Sequence, residues 1–82
     1  MNDEQVREEI ARILDEVAEI DPATVRMDSA FGTDLDVDSL LMVEIVVVIE
    51  EKFDIRVPED TMHELRTVGD LVKMIQDLRV PA

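Results

Sequence analysis

At 82 residues, with 21 acidic against 8 basic side chains, the chain carries a formal charge of -13 and contains no cysteine. Such a field repels phosphate backbones and anionic lipid headgroups, which argues against nucleic acid and membrane surfaces as partners. The missing thiols exclude disulfides, thiolate metal sites and any thioester on the protein's own side chains, so a reactive thiol would have to be imported.

Apolar residues make up 46% of the chain but aromatic ones only 2%, which predicts one small domain, residues 1–82, with an aliphatic and adaptable core. The acidity is compatible with plain solubility and with partners that present basic patches. Met1-Asn2-Asp3-Glu4-Gln5 has neither the basic nor the apolar segment of a signal peptide, and no stretch approaches the roughly 20 apolar residues of a membrane span. A soluble, cytoplasmic monomer is expected.

Val6, Ile10, Ile13, Leu14 and Val17 recur at the spacing of one helix face, with Arg7, Glu8, Glu9, Arg12, Asp15, Glu16 and Glu19 mainly on the others. Asn2 with Gln5 forms a variant capping box, and Asp21-Pro22 sets the far limit of this first helix, which serves as scaffold. From Asp21 to about Asp38 no helical period persists, and Pro22, Asp28-Ser29, Gly32-Thr33 and Asp34 are turn formers. Long loops in small domains are functional or pinned, and Val25, Met27, Phe31, Leu35 and Val37 are expected to pin this one to the core.

Asp34, Asp36 and Asp38 invite a calcium reading. Counted from Asp34, position 6 of an EF-hand loop falls on Ser39 where glycine is required, and position 12 on Ile45 where glutamate is required. No dedicated metal site is expected.

The segment from Ser39 is ambiguous on propensity, since Val46-Val47-Val48-Ile49 favours a strand, but its length and the seven-residue spacing of Glu44 and Glu51 favour a helix. In that helix Leu40, Val43, Val46, Val47 and Ile49 face the core, while Leu41, Glu44, Val48 and Glu51 line an outward ridge. Such a ridge is either an ordinary solvated face or a grip for a transient partner. Ser39 itself has two uses: a cap for its helix, or the bearer of a phosphate stabilised by free N–H groups and the positive end of the helix dipole.

Phe53-Asp54-Ile55-Arg56-Val57 alternates like a strand but stands alone, so it is expected to be a linker with its apolar residues turned inward. Pro58 suits the first position of a short helix whose buried side is Met62 and Leu65, and His63 is a surface residue. Thr67-x-x-Asp70 opens the last helix with a capping box, followed at helical spacing by Val68, Leu71, Val72, Ile75 and Leu78. Gly69 weakens it slightly, and Arg79-Val80-Pro81-Ala82 ends it. The fold class expected is all-α: a four-helix bundle of three longer helices and one short one, with a long loop between the first and second.

Phe31, Asp34-Leu35-Asp36-Val37-Asp38-Ser39-Leu40, Met42-Val43-Glu44, Glu50-Glu51-Lys52-Phe53-Asp54-Ile55, Val57-Pro58-Glu59-Asp60 and Thr67-Val68-Gly69-Asp70 together resemble the acyl carrier proteins of bacterial type II fatty acid synthases, nearest to the actinobacterial branch. The resemblance covers most of the chain with the right spacing between blocks. It implies that Ser39, flanked by Asp38 and Leu40, carries 4'-phosphopantetheine donated by coenzyme A through a holo-synthase, a phosphopantetheinyl transferase. It implies docking through Leu41, Glu44, Val48 and Glu51 to ketosynthases, acyltransferases, reductases and dehydratases. By position, Val46, Ile49, Val57, Met62 and Leu65 would line a cleft for an acyl chain; the same residues serve equally as ordinary core.

Leu41 follows the motif where many fatty acid carriers have a polar or acidic residue, Met74 lies where an aromatic one is frequent, and Gly32-Thr33 replaces more acidic residues. These departures bear on partner identity, so a carrier of a type II polyketide or other secondary pathway is the alternative. Catalysis is not expected, because no nucleophile, base or phosphate-cradling glycine loop forms a constellation. An unmodified acidic helical interaction module is the remaining reading of another class.

Overall fold

The computed structural model describes residues 1–79, and the predicted stop at Val80-Pro81-Ala82 lies outside them. Four α-helices follow one another: α1 (Asp3–Ala18), α2 (Ser39–Phe53), α3 (Glu59–Met62) and α4 (Val68–Leu78), with a single 3-10 turn at Pro22–Thr24. The described residues contain no strand, and α1 packs against both α2 and α4. This is the expected bundle.

Helix α1 begins with the capping box read from the sequence. The Gln5 N–H donates to Asn2 Oδ1 at 2.8 Å and the Asn2 N–H donates to Gln5 Oε1 at 2.9 Å, satisfying two backbone donors that a helix start leaves free. Val6, Ile10, Ile13 and Leu14 are buried, with Ala11 beside them, and Val17 packs at the edge of the core. The helix stops at Ala18, earlier than the limit set by Pro22, because Glu19 enters the left-handed region at φ 57°. Its N–H donates to Asp15 O and the Ile20 N–H to Leu14 O. Ile20 then packs against the core, the apolar contact that accompanies this kind of helix end.

The long loop is pinned much as expected. Val25, Phe31, Leu35 and Val37 are buried, but Met27 is exposed. Backbone bonds hold Met27's segment instead: the Gly69 N–H donates to Met27 O at 2.8 Å, the Val68 N–H to Ser29 O at 3.0 Å, and the Phe31 N–H to Arg66 O at 2.9 Å. Buried Ser29 adds a side-chain lock that periodicity could not reveal, its Oγ accepting from the Arg26 N–H at 2.9 Å. Arg7 on α1 completes the seam by donating to Val25 O at 2.8 Å.

In α2 the buried residues are Ile45, Val46 and Ile49. The expected facing is corrected by part of a turn. Leu40, Val43 and Val47, assigned to the core, are 72%, 43% and 47% exposed, while Leu41 and Val48, assigned to the outward ridge, are half-buried against the core. Apolar residues lie on nearly every side of this helix, so sequence alone leaves its rotation weakly determined. Glu44 and Glu51 are exposed as expected.

Phe53, the last residue of α2, and Ile55 and Val57 of the linker turn inward against the core. The Glu50 carboxylate holds the linker by accepting the Val57 N–H at 2.8 Å, and Asp54 closes α2 at φ 54°. Pro58 stands one position before α3, at φ -61°. Met62 ends that helix, and Leu65 lies beyond it in the turn leading to α4. The second capping box is present: the Asp70 N–H donates to Thr67 Oγ1 and the Thr67 N–H to Asp70 Oδ2. Val68, Leu71, Val72, Met74 and Ile75 are buried, whereas Leu78 is exposed.

Candidate functional site

Ser39 is the first residue of α2, and the cap of that helix is Asp38, not Ser39. The Leu41 N–H donates to Asp38 Oδ1 at 2.8 Å and the Met42 N–H to Asp38 O at 2.9 Å. One aspartate thereby supplies what the capping reading of Ser39 required, and Ser39 is exposed, with no hydrogen bond to its hydroxyl among the described residues.

The three aspartates before it act one at a time. Asp34 Oδ2 accepts the Ala30 N–H at 2.8 Å and folds the Ala30–Asp34 turn, Asp36 takes φ 56°, and Asp38 caps α2. Among the described residues no group of histidine, cysteine and acidic side chains has the arrangement to hold a metal ion. The series shapes the approach to Ser39.

Beside Ser39 opens a cavity of about 400 Å³, lined on its apolar side by Phe31, Val37, Met42, Val43, Met62 and Leu65. The expected cleft residues divide around it. Met62 and Leu65 line the cavity, Val57 is half-buried against the core, and Val46 and Ile49 are buried and do not line it. Ile49 belongs to the contiguous core, whereas Val46, although only 4% exposed, is not part of that cluster. Phe31 and Val37 went unrecognised as cavity residues because the turns of the loop leave no periodic signature, and Met42 and Val43 because the rotation of α2 was weakly determined.

Leu40, Val43, Glu44, Val47 and Glu51 are exposed on α2 at offsets that fall on one helical face. Aliphatic patches edged by carboxylates extend from Ser39 along this helix. Leu41 and Val48 contribute to its footing instead, through their packing on the core.

A free hydroxyl, an aspartate already committed to the backbone and an adjoining apolar cavity fit 4'-phosphopantetheine, which Ser39 would hold. When bound, that group supplies the terminal thiol that this cysteine-free chain lacks.

Residues 4–75 match the family model described as phosphopantetheine attachment site. The chain is 47% identical over 75 residues to an acyl carrier protein of Rhodococcus erythropolis, covering 92% of this chain and 82% of that one. It is 45% identical over 82 residues to that of Acidothermus cellulolyticus, covering 100% and 98%, and 50% identical over 72 residues to that of Tropheryma whipplei, covering 88% of each. With a matching family model over most of its length and relatives of this similarity, the chain belongs to the acyl carrier proteins, a family of phosphopantetheine-bearing carriers and not of enzymes.

Proposed function

We propose that Ser39 is the attachment point and that this chain, as a single carrier domain, bears acyl groups as thioesters on phosphopantetheine and delivers them to the enzymes of a type II fatty acid synthase in the cytoplasm. The observation that carries this reading is the division of labour at the start of α2: Asp38 caps the helix, and the Ser39 hydroxyl stands exposed beside the apolar cavity. A phosphodiester there lies at the positive end of the helix dipole, where negative charge is favoured. The cavity accepts apolar chain, and each methylene taken from water contributes roughly 0.8 kcal/mol.

Two kinds of side chain on the exposed face of α2 divide the work. Glu44 and Glu51 steer the carrier towards basic enzyme surfaces, beginning with the phosphopantetheinyl transferase, while Leu40, Val43 and Val47 supply apolar contact. Such steering sets association rates more than final affinity, which suits a carrier that must leave each enzyme after delivery.

Intact mass after incubation with coenzyme A and a promiscuous phosphopantetheinyl transferase tests the attachment point. The chain is expected to gain one phosphopantetheine and the Ser39→Ala variant none. Addition to that variant, or none to the unaltered chain, overturns the assignment.

A further inference from the structure

Of the eight lysines and arginines in this strongly acidic chain, Arg66 alone lines the cavity beside Ser39. Its backbone is fixed from both sides. The Arg66 N–H donates to Asp70 Oδ2 at 3.1 Å, and its carbonyl accepts the Phe31 N–H at 2.9 Å. These bonds anchor the root of the side chain to the start of α4 and to the loop that forms the cavity's other wall. The residue is exposed, and its guanidinium enters no salt bridge among the described residues.

His63, the other basic residue on the cavity wall, lies 3.9 Å from Glu59 and is charged only when protonated. Arg7 and Arg12, by contrast, are each paired with a glutamate one turn away. Asp70 is close enough to feel the Arg66 charge but not to pair with it, so a cation on an anchored backbone stands at the rim of a cavity next to an attachment serine, open to an anion there.

We propose that Arg66 is a positioning residue for the prosthetic arm: its guanidinium faces the phosphodiester on Ser39 and holds the first segment of the arm over the cavity mouth. Arginine suits this role because its planar fork of donors matches phosphate oxygens and its charge persists at every physiological pH. In so acidic a chain the phosphodiester otherwise meets a repulsive field, so one local cation decides which way the arm leaves the helix end. This inference rests on attachment at Ser39.

The test uses the full chain in apo and holo forms, with intact mass establishing attachment first. In the holo form the Arg66 Nε–H resonance is expected to shift relative to apo, and the 31P resonance of the phosphodiester to shift between the unaltered chain and Arg66→Gln. Arg66→Lys is expected to retain part of that shift. Raising the salt concentration is expected to lower the equilibrium constant of the contact by up to about fivefold, as for exposed ion pairs. An Arg66 signal identical in apo and holo forms, or a 31P signal indifferent to Arg66→Gln, overturns the Arg66 assignment and leaves attachment standing. No mass gain at all overturns both.

Discussion

The Leu41 N–H donates to Asp38 Oδ1 at 2.8 Å, so the residue just before Ser39 satisfies the helix start and leaves the serine oxygen without a structural duty. The two neighbours are chemically interchangeable as caps, and their separation into one structural and one exposed residue is what makes the site usable.

That separation gives opposite expectations for two adjacent substitutions. Asp38→Ala removes the cap and is expected to cost about 1 kcal/mol of stability, with Asp38→Asn restoring most of it. Ser39→Ala is expected to change stability by less than about 0.5 kcal/mol, as for a surface residue without partners. Urea denaturation of the three variants checks this, and a Ser39→Ala loss as large as that of Asp38→Ala would return the capping role to the serine.

The rotation of α2 is open to the same kind of test. Leu41→Ala and Val48→Ala, which remove side chains packed on the core, are expected to cost about 1 to 2 kcal/mol each, less than a fully buried position. Leu40→Ala and Val47→Ala are expected to stay within about 0.5 kcal/mol. Partner kinetics should show the reverse order. Glu44→Lys, on the same exposed side, is expected to slow association with a basic synthase enzyme and flatten its salt dependence.

Gly69 was legible as a weakness of α4, and the structure sets a crowded neighbour against that reading. A Cβ built there meets Met27 O at 3.0 Å, the same carbonyl that accepts the Gly69 N–H at 2.8 Å. Neither atom can give way without loosening the seam between the long loop and α4. Helix propensity alone favours Gly69→Ala by up to about 1 kcal/mol, so a measured destabilisation identifies the crowding as dominant, and a higher melting temperature would show the loop yielding at little cost.

The parts of the fold that follow from period and cap chemistry were legible in the sequence. Asn2 with Gln5 and Thr67 with Asp70 form the boxes their spacing announced, and the apolar stripe of α1 is the one that is buried. The rotation of α2 was not, because Leu40 and Leu41, or Val47 and Val48, are equally apolar and only the neighbouring helices decide between them. At the site, Met62 and Leu65 could be placed by family position, whereas Phe31 and Val37 are brought to the cavity by the loop's backbone bonds, the Val37 N–H donating to Phe31 O at 2.7 Å. Contacts of that kind leave no pattern in composition or spacing.

Val46 tests the interior that a carrier needs. It is buried, stands outside the contiguous core and does not line the cavity beside Ser39, so a larger side chain there tests, without dismantling the bundle, whether cargo reaches beyond that cavity into the interior. Val46→Trp is expected to accept phosphopantetheine on Ser39 at an unchanged rate, at a stability cost of about 1 to 3 kcal/mol from overpacking. Thioesters of long acyl chains on this variant should hydrolyse faster than on the unaltered chain. Equal hydrolysis would mean that Val46 takes no part in sheltering them.

Asp70 couples the start of α4 to pH. Its carboxylate accepts from the Arg66 and Thr67 N–H groups, both at 3.1 Å, and these backbone bonds hold its pKa below the ordinary aspartate value, with the Thr67 hydroxyl and the nearby Arg66 charge acting in the same direction and partial burial opposing them. The folded state therefore favours the ionised form. Its contribution is fully present above the unfolded aspartate pKa, about 3.9, and is lost as pH falls through the lower folded value. Asp70→Asn, which cannot ionise, is expected to be less stable than the unaltered chain at neutral pH and to approach it in acid. Protonation of the remaining acids also relieves repulsion among them and shifts both proteins together, so the difference between the two stability profiles is the quantity to follow. Urea midpoints from pH 7 down to about 3 measure it, and a difference that does not shrink on acidification would mean that the carboxylate's charge contributes nothing to the cap.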